Sequence, residues 1–319
     1  MTDPYIQPTI LQINPYVGGE AEILGAKKII KLSSNEGALG ASPNAVKAFK
    51  EASSSLHRYP DGNARLLREA IAETHNLDAN KIVCGSGSDE LISLLCKGFC
   101  GPGDEVLHSQ YGFLMYPISA MAAGATPKFA EEKNLTADVN SLLSMLTKNT
   151  KIIFLANPNN PTGTYLTKDD LHRLYNGIPK HIILVIDAAY AEYVNKKNYT
   201  EGNELVEHNN NVIVTRTFSK SHGLGGLRLG WAYGSKYIVD VLNRIRGPFN
   251  ISSPAQAAGV ASILDTTFAK YVHEHNLKWR DWTKNELAKI GLKTPESAGN
   301  FLLISFDEFP LSNAKEAEN

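Results

Sequence analysis

The sequence predicts an α/β fold with a mostly parallel central sheet flanked by helices, followed by a smaller α/β domain. Between about residues 43 and 235, short apolar runs rich in Val and Ile alternate with longer segments of helical periodicity. Each run leads directly into polar or Gly-rich residues, where open α/β sheets bind ligands. The clearest predicted strands cover residues 81–84, 105–108, 152–155, 182–186 and 212–215.

Helical periodicity marks the segments between and after these strands. Apolar residues three and four positions apart predict helices over 66–73 and 89–100. After Gly234, residues 237–246 predict a helix, Gly247-Pro248 interrupts it, and Ser253-Pro254 begins a long helix that runs to about residue 290. Residues 302–306 then predict one strand of a second domain.

These patterns divide the chain into three predicted units. An amino-terminal arm over residues 1–33 is expected to pack on the small domain or on a partner subunit. A large domain follows over 34–246, and a small domain over 247–319 ends without a closing strand or capped helix.

Composition narrows the class of protein. The 319 residues are 43% hydrophobic and 20% charged, as is ordinary for a soluble globular protein. With 32 basic and 33 acidic residues, the chain has no global field that favours nucleic acid or a membrane. Three cysteines predict a reducing, cytoplasmic compartment, and no apolar run has the length of a membrane helix or signal peptide. The histidine and cysteine spacings predict no metal site.

The turn after the predicted strand 212–215 carries the most informative residues. Thr217-Phe218-Ser219-Lys220 is followed eight residues later by Arg228. A lysine amine can form an imine with an aldehyde, while the hydroxyls of Thr217 and Ser219 and the guanidinium can hold a phosphate. An aldehyde and a phosphate together indicate pyridoxal 5'-phosphate. Taken alone, a Ser-Lys pair after a strand is more often a solvated turn.

Two other strand ends supply groups that fit a pyridine aldehyde. Asp187 follows an apolar strand, where a protonated pyridine nitrogen can pair with it and keep the ring an electron sink. Tyr190 and the Asn160 amide can bind the phenolic oxygen of the ring. The alternatives are a capping carboxylate for Asp187 and an ordinary turn around Asn160.

The segment Gly85-Ser86-Gly87-Ser88-Asp89 lies between a predicted strand and a predicted helix. Its amides, with Ser88 and Asp89, can hold an anion at the helix amino end. Tyr111, which follows the strand 105–108, can stack on the pyridine ring. A flexible turn and an aromatic in the core are the alternatives. His222, close to Lys220, either tunes the site or is a satisfied loop histidine.

Together, these motifs resemble a known family in order and spacing. The sequence is similar to the pyridoxal-phosphate-dependent aminotransferases of fold type I over about residues 10–306, and this resemblance implies a central sheet of the seven-stranded type. Within that group, three further segments resemble histidinol-phosphate aminotransferases. The motifs are Asn157-Pro158-Asn159-Asn160-Pro161-Thr162-Gly163, Asp187-Ala188-Ala189-Tyr190, Thr217-Phe218-Ser219-Lys220 and Gly226-Leu227-Arg228-Leu229-Gly230, and the further segments are 32–36, 58–62 and 247–252.

The resemblance implies a role for each site residue. Lys220 would hold the cofactor and transfer the proton, Asp187 would face the pyridine nitrogen, and Tyr190 would complete the predicted catalytic set. Transfer between histidinol phosphate and 2-oxoglutarate, in histidine biosynthesis, is the implied reaction. Further implied contacts are Asn160 on the phenolic oxygen, Tyr111 on the ring, Ser88, Asp89, Thr217, Ser219 and Arg228 on the phosphate, Tyr59 from the other subunit of a homodimer, and Asn35 and Tyr16 on the substrate side.

Other functions compete with this interpretation. An aromatic amino-acid aminotransferase or a phosphothreonine-type decarboxylase would use the same scaffold, and a non-catalytic protein would bind the cofactor only. The resemblance also implies a final strand with an arginine that binds the substrate anion, whereas the sequence stops at Asn319 before such a strand. Without that arginine, turnover is expected to fall while cofactor binding survives.

Overall fold

The computed structural model describes residues 4–15 and 30–306, and its central feature is a seven-stranded sheet. Its strands are β1 (Ile82–Gly85), β2 (Glu105–Ser109), β3 (Thr126–Ala130), β6 (Thr150–Ala156), β7 (Ile183–Asp187), β8 (Val212–Thr217) and β9 (Gly230–Gly234), while β4 (Glu132–Lys133) and β5 (Thr136–Ala137) form a separate hairpin. The strand order is β1-β9-β8-β7-β6-β2-β3, with β3, β2, β6, β7 and β8 parallel and β9 antiparallel to both neighbours. The predicted mostly parallel sheet is confirmed.

All five strands that we predicted in the sheet are present, and two more were missed. β3 lies at the edge and is largely exposed, so its sequence lacks a buried apolar run. β9 is short, and glycine occupies both of its ends. Neither strand shows the dense Val and Ile pattern on which the prediction depended.

The register of the central strands brings the predicted site residues together. Ala156 on β6 pairs with Asp187 at the end of β7, and Asp187 pairs with Thr215 on β8. Because these three strands are parallel, the segments that follow them leave the sheet at the same edge. The lysine turn, the Asp187 segment and the Asn160 loop therefore meet there.

Helices cover both faces of the sheet. Alternate residues of β6 belong to different cores: Ile153 and Leu155 pack on one face, Ile152 and Phe154 on the other. This alternation is what a strand buried on both sides requires. The helices are α1 (Pro43–Ala52), α2 (Arg65–His75), α3 (Ser88–Phe99), α4 (Met115–Ala122), α5 (Val139–Ser144), α6 (Lys168–Gly177), α7 (Asn203–His208), α8 (Lys236–Ile245), α9 (Ser253–Ile263) and α10 (Thr266–Lys289).

The carboxyl-terminal part departs from the sequence prediction in two places. The single long helix predicted from residue 253 is divided into α9 and α10, because Asp265 caps α10 by accepting a hydrogen bond from the Phe268 amide at 3.0 Å. The predicted strand 302–306 is reduced to one antiparallel bridge between Lys293 and Ser305, because no strand of the described chain pairs with it along its length.

The domain limits remain predictions. The packing of α9 and of the amino-terminal arm bears on them. α9 lies against α1 and α2 in the core of the large domain, which favours a boundary later than residue 246. Near the amino terminus, the Thr9 hydroxyl donates to the Met121 carbonyl on α4 at 2.7 Å, so this part of the arm contacts the large domain. Of the helices described, none is both long and apolar enough to cross a membrane.

Candidate active site

Lys220 lies in the turn that follows β8, at the edge where the parallel strands end. The turn is tied to the sheet because the Phe218 amide donates to the Leu229 carbonyl at 2.9 Å. The Lys220 Nζ donates to the Ser34 carbonyl at 2.9 Å and lies 5.7 Å from the centre of the Tyr190 ring. Burial lowers the pKa of the amine below its ordinary value. Burial therefore makes the neutral, nucleophilic form of Lys220 easier to reach than in an exposed lysine.

Asp187 is a buried carboxylate, 5% exposed, at the end of β7. Its oxygens accept hydrogen bonds from the Tyr116 hydroxyl at 2.8 Å and the Thr215 hydroxyl at 3.0 Å. Burial raises the pKa of the Asp187 carboxyl to about 6, against the lowering effect of both hydroxyls. No ion pair joins Asp187 to a cation of the described chain. Its surroundings therefore suit a positively charged group from outside the chain.

Tyr116 and Thr215 were missed by the sequence analysis. Thr215 is the pairing partner of Asp187 in the sheet, and Tyr116 is held by stacking on Phe154, with ring centres 4.6 Å apart. Tyr116 comes from α4, 71 positions before the carboxylate that it contacts. No spacing in the sequence connects these residues, so only the fold identifies them.

The Tyr190 hydroxyl forms a polar cluster with two amides. It lies 3.2 Å from Asn160 Nδ2 and 3.4 Å from Asn35 Nδ2, and both amides donate to it. Burial raises the pKa of Tyr190 to about 12, so the hydroxyl stays protonated and can donate to an oxygen in the cavity. The predicted grouping of Asn160 with Tyr190 is present, and Asn35 joins it.

The opposite end of the site has the features of an anion pocket. α3 begins after Gly87, which has a φ of +84° and supplies no side chain to cap the first amides of the helix. Arg228 donates to Asp89 Oδ2 at 3.0 Å and to Ser219 Oγ at 3.3 Å. A Cβ at Gly87 would lie 2.5 Å from Arg228 Nη2, so glycine lets the guanidinium approach the helix start. The Arg228 guanidinium, nearby hydroxyls and the first amides of α3 therefore lie close together at this end of the site.

One cavity of about 300 Å³ connects these groups. Ten predicted residues line it, whereas Tyr111 and Tyr59 do not, and Tyr16 lies outside the described residues. The ten are Asn35, Ser88, Asp89, Asn160, Asp187, Tyr190, Thr217, Ser219, Lys220 and Arg228.

The aromatic side chain on the wall of this cavity is Phe113, not Tyr111. Tyr111 is partly exposed, and its backbone is held by Glu132 and Asn159. Phe113 contacts Tyr116 edge to face, with ring centres 5.8 Å apart, which fixes its orientation. The sequence offered both aromatics within three positions, and only the path of the loop distinguishes them.

Known proteins with similar sequences identify the family of this chain. The family described as Aminotransferase class I and II matches residues 27–310. The chain belongs to the class I and II aminotransferases. Relatives from Paramagnetospirillum magneticum and Rhodospirillum rubrum, both named histidinol-phosphate aminotransferase, are 53% and 54% identical to it over 317 and 304 residues. These alignments cover 99% and 95% of this chain and 86% and 82% of the relatives. The predicted enzyme class and family are confirmed.

Solved structures support the same assignment. This aminotransferase superposes with a TM-score of 0.82 and 26% identity on the histidinol-phosphate aminotransferase of Sinorhizobium meliloti, which was solved in complex with pyridoxal-5'-phosphate. The alignment covers 85% of this chain and 74% of that one. An aspartate aminotransferase of Thermus thermophilus, 21% identical with a TM-score of 0.81, shows the shared fold.

Proposed function

We propose that this aminotransferase binds pyridoxal 5'-phosphate and transfers the amino group of histidinol phosphate to 2-oxoglutarate. The observation that carries the proposal is the convergence of a buried amine, an unpaired buried carboxylate and an anion pocket in one cavity. Relatives about half identical over nearly the whole chain support the substrate, and the Sinorhizobium meliloti complex supports the cofactor.

The residues present fit this cofactor at each of its polar ends. Lys220 would hold its aldehyde covalently, and Asp187 would pair with its ring nitrogen. The first amides of α3, with Ser88, Thr217, Ser219 and Arg228, would hold its phosphate, and Asp89 would orient Arg228. When bound, the cofactor withdraws electrons from the substrate carbon that loses a proton.

The chain itself supplies positioning and proton transfer. Lys220, with its lowered pKa, can accept a proton from the substrate carbon and return it nearby. Asp187, held by the Tyr116 and Thr215 hydroxyls, would keep the ring nitrogen protonated. Tyr190, held by Asn160 and Asn35, would donate to the phenolic oxygen.

Aromatic and substrate-side contacts complete the proposed site. Phe113 fits the stacking role better than Tyr111, because it lines the cavity. Tyr59 is 82% exposed, so its side chain is accessible to the site of another subunit. Its ring is held by stacking on Phe249, with ring centres 4.6 Å apart. Asn35 and Tyr16 are proposed to face the substrate.

The proposed assembly is a homodimer in the cytoplasm. Exposed apolar side chains near Tyr59, among them Leu56 and Phe249, support a subunit contact there. Three free thiols support a reducing compartment.

Rates with three amino donors test the substrate. Histidinol phosphate, phenylalanine and tyrosine are assayed side by side with 2-oxoglutarate, and release of carbon dioxide is measured in parallel. Histidinol phosphate is expected to give the highest kcat/KM. Preference for an aromatic amino acid would indicate the first alternative function, and carbon dioxide release would indicate a decarboxylase.

A substitution of the lysine tests the chemistry. Lys220→Ala is expected to remove the visible absorbance of the bound cofactor and all measurable transamination, because the covalent attachment and the proton carrier are lost together. Lys236→Ala, at an exposed position on α8, is the control and should keep both. A Lys220→Ala protein that kept the absorbance band and full turnover would refute the assignment.

A further inference from the structure

A cluster of charged side chains, one buried and two partly buried, lies next to the lysine turn. Its centre is Arg216, 1% exposed, which stands on β8 between Thr215 and Thr217 and points to the opposite face. Its guanidinium donates to Glu192 Oε1 at 2.7 Å and to Glu201 Oε2 at 2.5 Å. Because Glu192 follows Tyr190 by two residues, the cluster joins β8 to the Tyr190 segment.

The lysine turn approaches the same cluster without bonding to it directly. His222, two residues after Lys220, lies 2.9 Å from Ser262 Oγ through Nδ1, whereas its Nε2 is 4.0 Å from Glu192 Oε1. Burial lowers the pKa of His222 to about 4, so its ring is neutral. Burial alone would raise the pKa of Glu192, but Arg216 holds it below its ordinary value, so Glu192 is ionised.

Two polar atoms at this junction are buried and have no partner in the described chain. They are Glu192 Oε2 and Ser221 Oγ, and Ser221 is the residue next to Lys220. Both residues line a cavity of about 30 Å³, together with His222, Ser262 and His273. A cavity of this size with several polar groups has room for one water molecule. A hydroxyl and a carboxylate oxygen left unsatisfied would be unfavourable.

We propose that Glu192 is a positioning residue for Lys220 and acts through one buried water molecule that bridges Glu192 Oε2 and Ser221 Oγ. The water donates to the carboxylate and accepts from the hydroxyl, which fixes the lysine turn relative to the Tyr190 segment. The inference rests on the proposed function, because it assigns Lys220 the proton transfer. Arg216 and Glu201 hold Glu192 in place from the other side.

A high-resolution crystal structure of the enzyme with bound cofactor tests the water site directly. Density for a water within hydrogen-bond distance of both Glu192 Oε2 and Ser221 Oγ is expected. An empty cavity, or a direct bond between the two side chains, would overturn the inference. This measurement does not depend on which substrate the enzyme uses.

A pair of serine variants tests the positioning role. Ser221→Ala is expected to lower kcat about three- to tenfold with little change in KM or in the dissociation constant of the cofactor, because one hydrogen bond that orients the amine is lost. Ser119→Ala removes a buried hydroxyl that contacts Ser93 instead, and should change kcat less than about twofold. Thermal unfolding of both variants shows whether they are equally destabilised.

The outcomes separate this inference from the proposed function. Equal kcat values for Ser221→Ala and Ser119→Ala would contradict the positioning role. A wild-type enzyme with no activity on histidinol phosphate would contradict the proposed function, whereas kcat with its actual amino donor would still compare the two variants.

Discussion

Burial of the Asp187 carboxylate destabilises the cofactor-free fold but suits its proposed role of pairing with the ring nitrogen. Its pKa is raised to about 6, from 3.8 in the unfolded chain, because burial disfavours the charge. In the cofactor-free protein, ionisation therefore weakens the fold, and the free energy of unfolding should fall as pH rises from about 4 to about 6. A shift of this size corresponds to about 3 kcal/mol, which a cationic ring nitrogen would offset.

Asp187→Asn tests this account of the carboxylate. The amide keeps the shape and can still bond to the Tyr116 and Thr215 hydroxyls. We expect the cofactor-free variant to be more stable than wild type at pH 7 by about 1–3 kcal/mol and to lose the fall between pH 4 and 6. Transamination should be nearly abolished. Denaturant unfolding across this pH range measures the effect, and an unchanged pH dependence would contradict it.

Phe113 and Tyr111 are the two candidates for stacking on the ring of the cofactor. Phe113→Ala is expected to raise the dissociation constant of the cofactor about tenfold, because an aromatic contact on the cavity wall is lost. Tyr111→Ala should raise it much less. Absorbance titration of the cofactor-free proteins measures both constants. If only Tyr111→Ala weakened binding, the role would return to the residue that we first predicted.

The start of α3 shows how one secondary-structure element builds the anion pocket. Gly87 adopts a φ of +84°, and the absence of a Cβ allows Arg228 to lie against the first turn of the helix. Arg228 itself has a φ of +50°, which aims its side chain across the helix start. Glycine is therefore required at position 87 for two reasons, its positive φ and the close approach of Arg228.

Gly87→Ala separates these two requirements when it is compared with Gly103→Ala. Both glycines have positive φ, but a Cβ at Gly87 meets Arg228 Nη2 at 2.5 Å, whereas a Cβ at Gly103 has nothing within 4 Å. Each variant should lose about 1 kcal/mol of stability from backbone strain. Only Gly87→Ala is expected to weaken cofactor binding, by about tenfold or more, because Arg228 is displaced. Equal affinities of the two variants for the cofactor would contradict the assignment of an anion pocket at the start of α3.

At the level of the whole molecule, the proposed homodimer places Tyr59 of one subunit in the site of the other. Tyr59 is exposed and does not line the cavity of its own chain. An inactive variant and an impaired one can therefore be combined. A heterodimer of Lys220→Ala and Tyr59→Ala chains has one site with both residues intact if Tyr59 acts across the interface.

Mixing the two variants after dissociation should give more activity than the sum of the two variants measured separately. The control is Asp187→Asn mixed with Lys220→Ala. Both of these residues act within one chain, so this mixture contains no intact site and should regain no activity. Activity after mixing Tyr59→Ala with Lys220→Ala, together with the dimer mass by light scattering, measures the effect. No recovery, or a monomer in solution, would contradict the shared site.

The sequence alone was enough to predict five strands of the sheet, the meeting of Lys220 and Asp187 in one cavity, and the family, because these depend on local signals. Apolar runs of Val and Ile define buried strands, and reactive residues directly after them must lie at one sheet edge. Short motifs at the ends of β6, β7 and β8 could therefore be read in order along the chain.

Contacts between distant segments were decided by the tertiary structure. Tyr116 reaches Asp187 from another helix, Phe113 replaces Tyr111 on the cavity wall, and Glu192 faces Ser221 across a small buried cavity. Such contacts depend on loop paths and side-chain packing, which no local pattern of residues encodes. Short motifs therefore predict the residues that carry the chemistry, whereas the residues that position them come together only when the chain is folded.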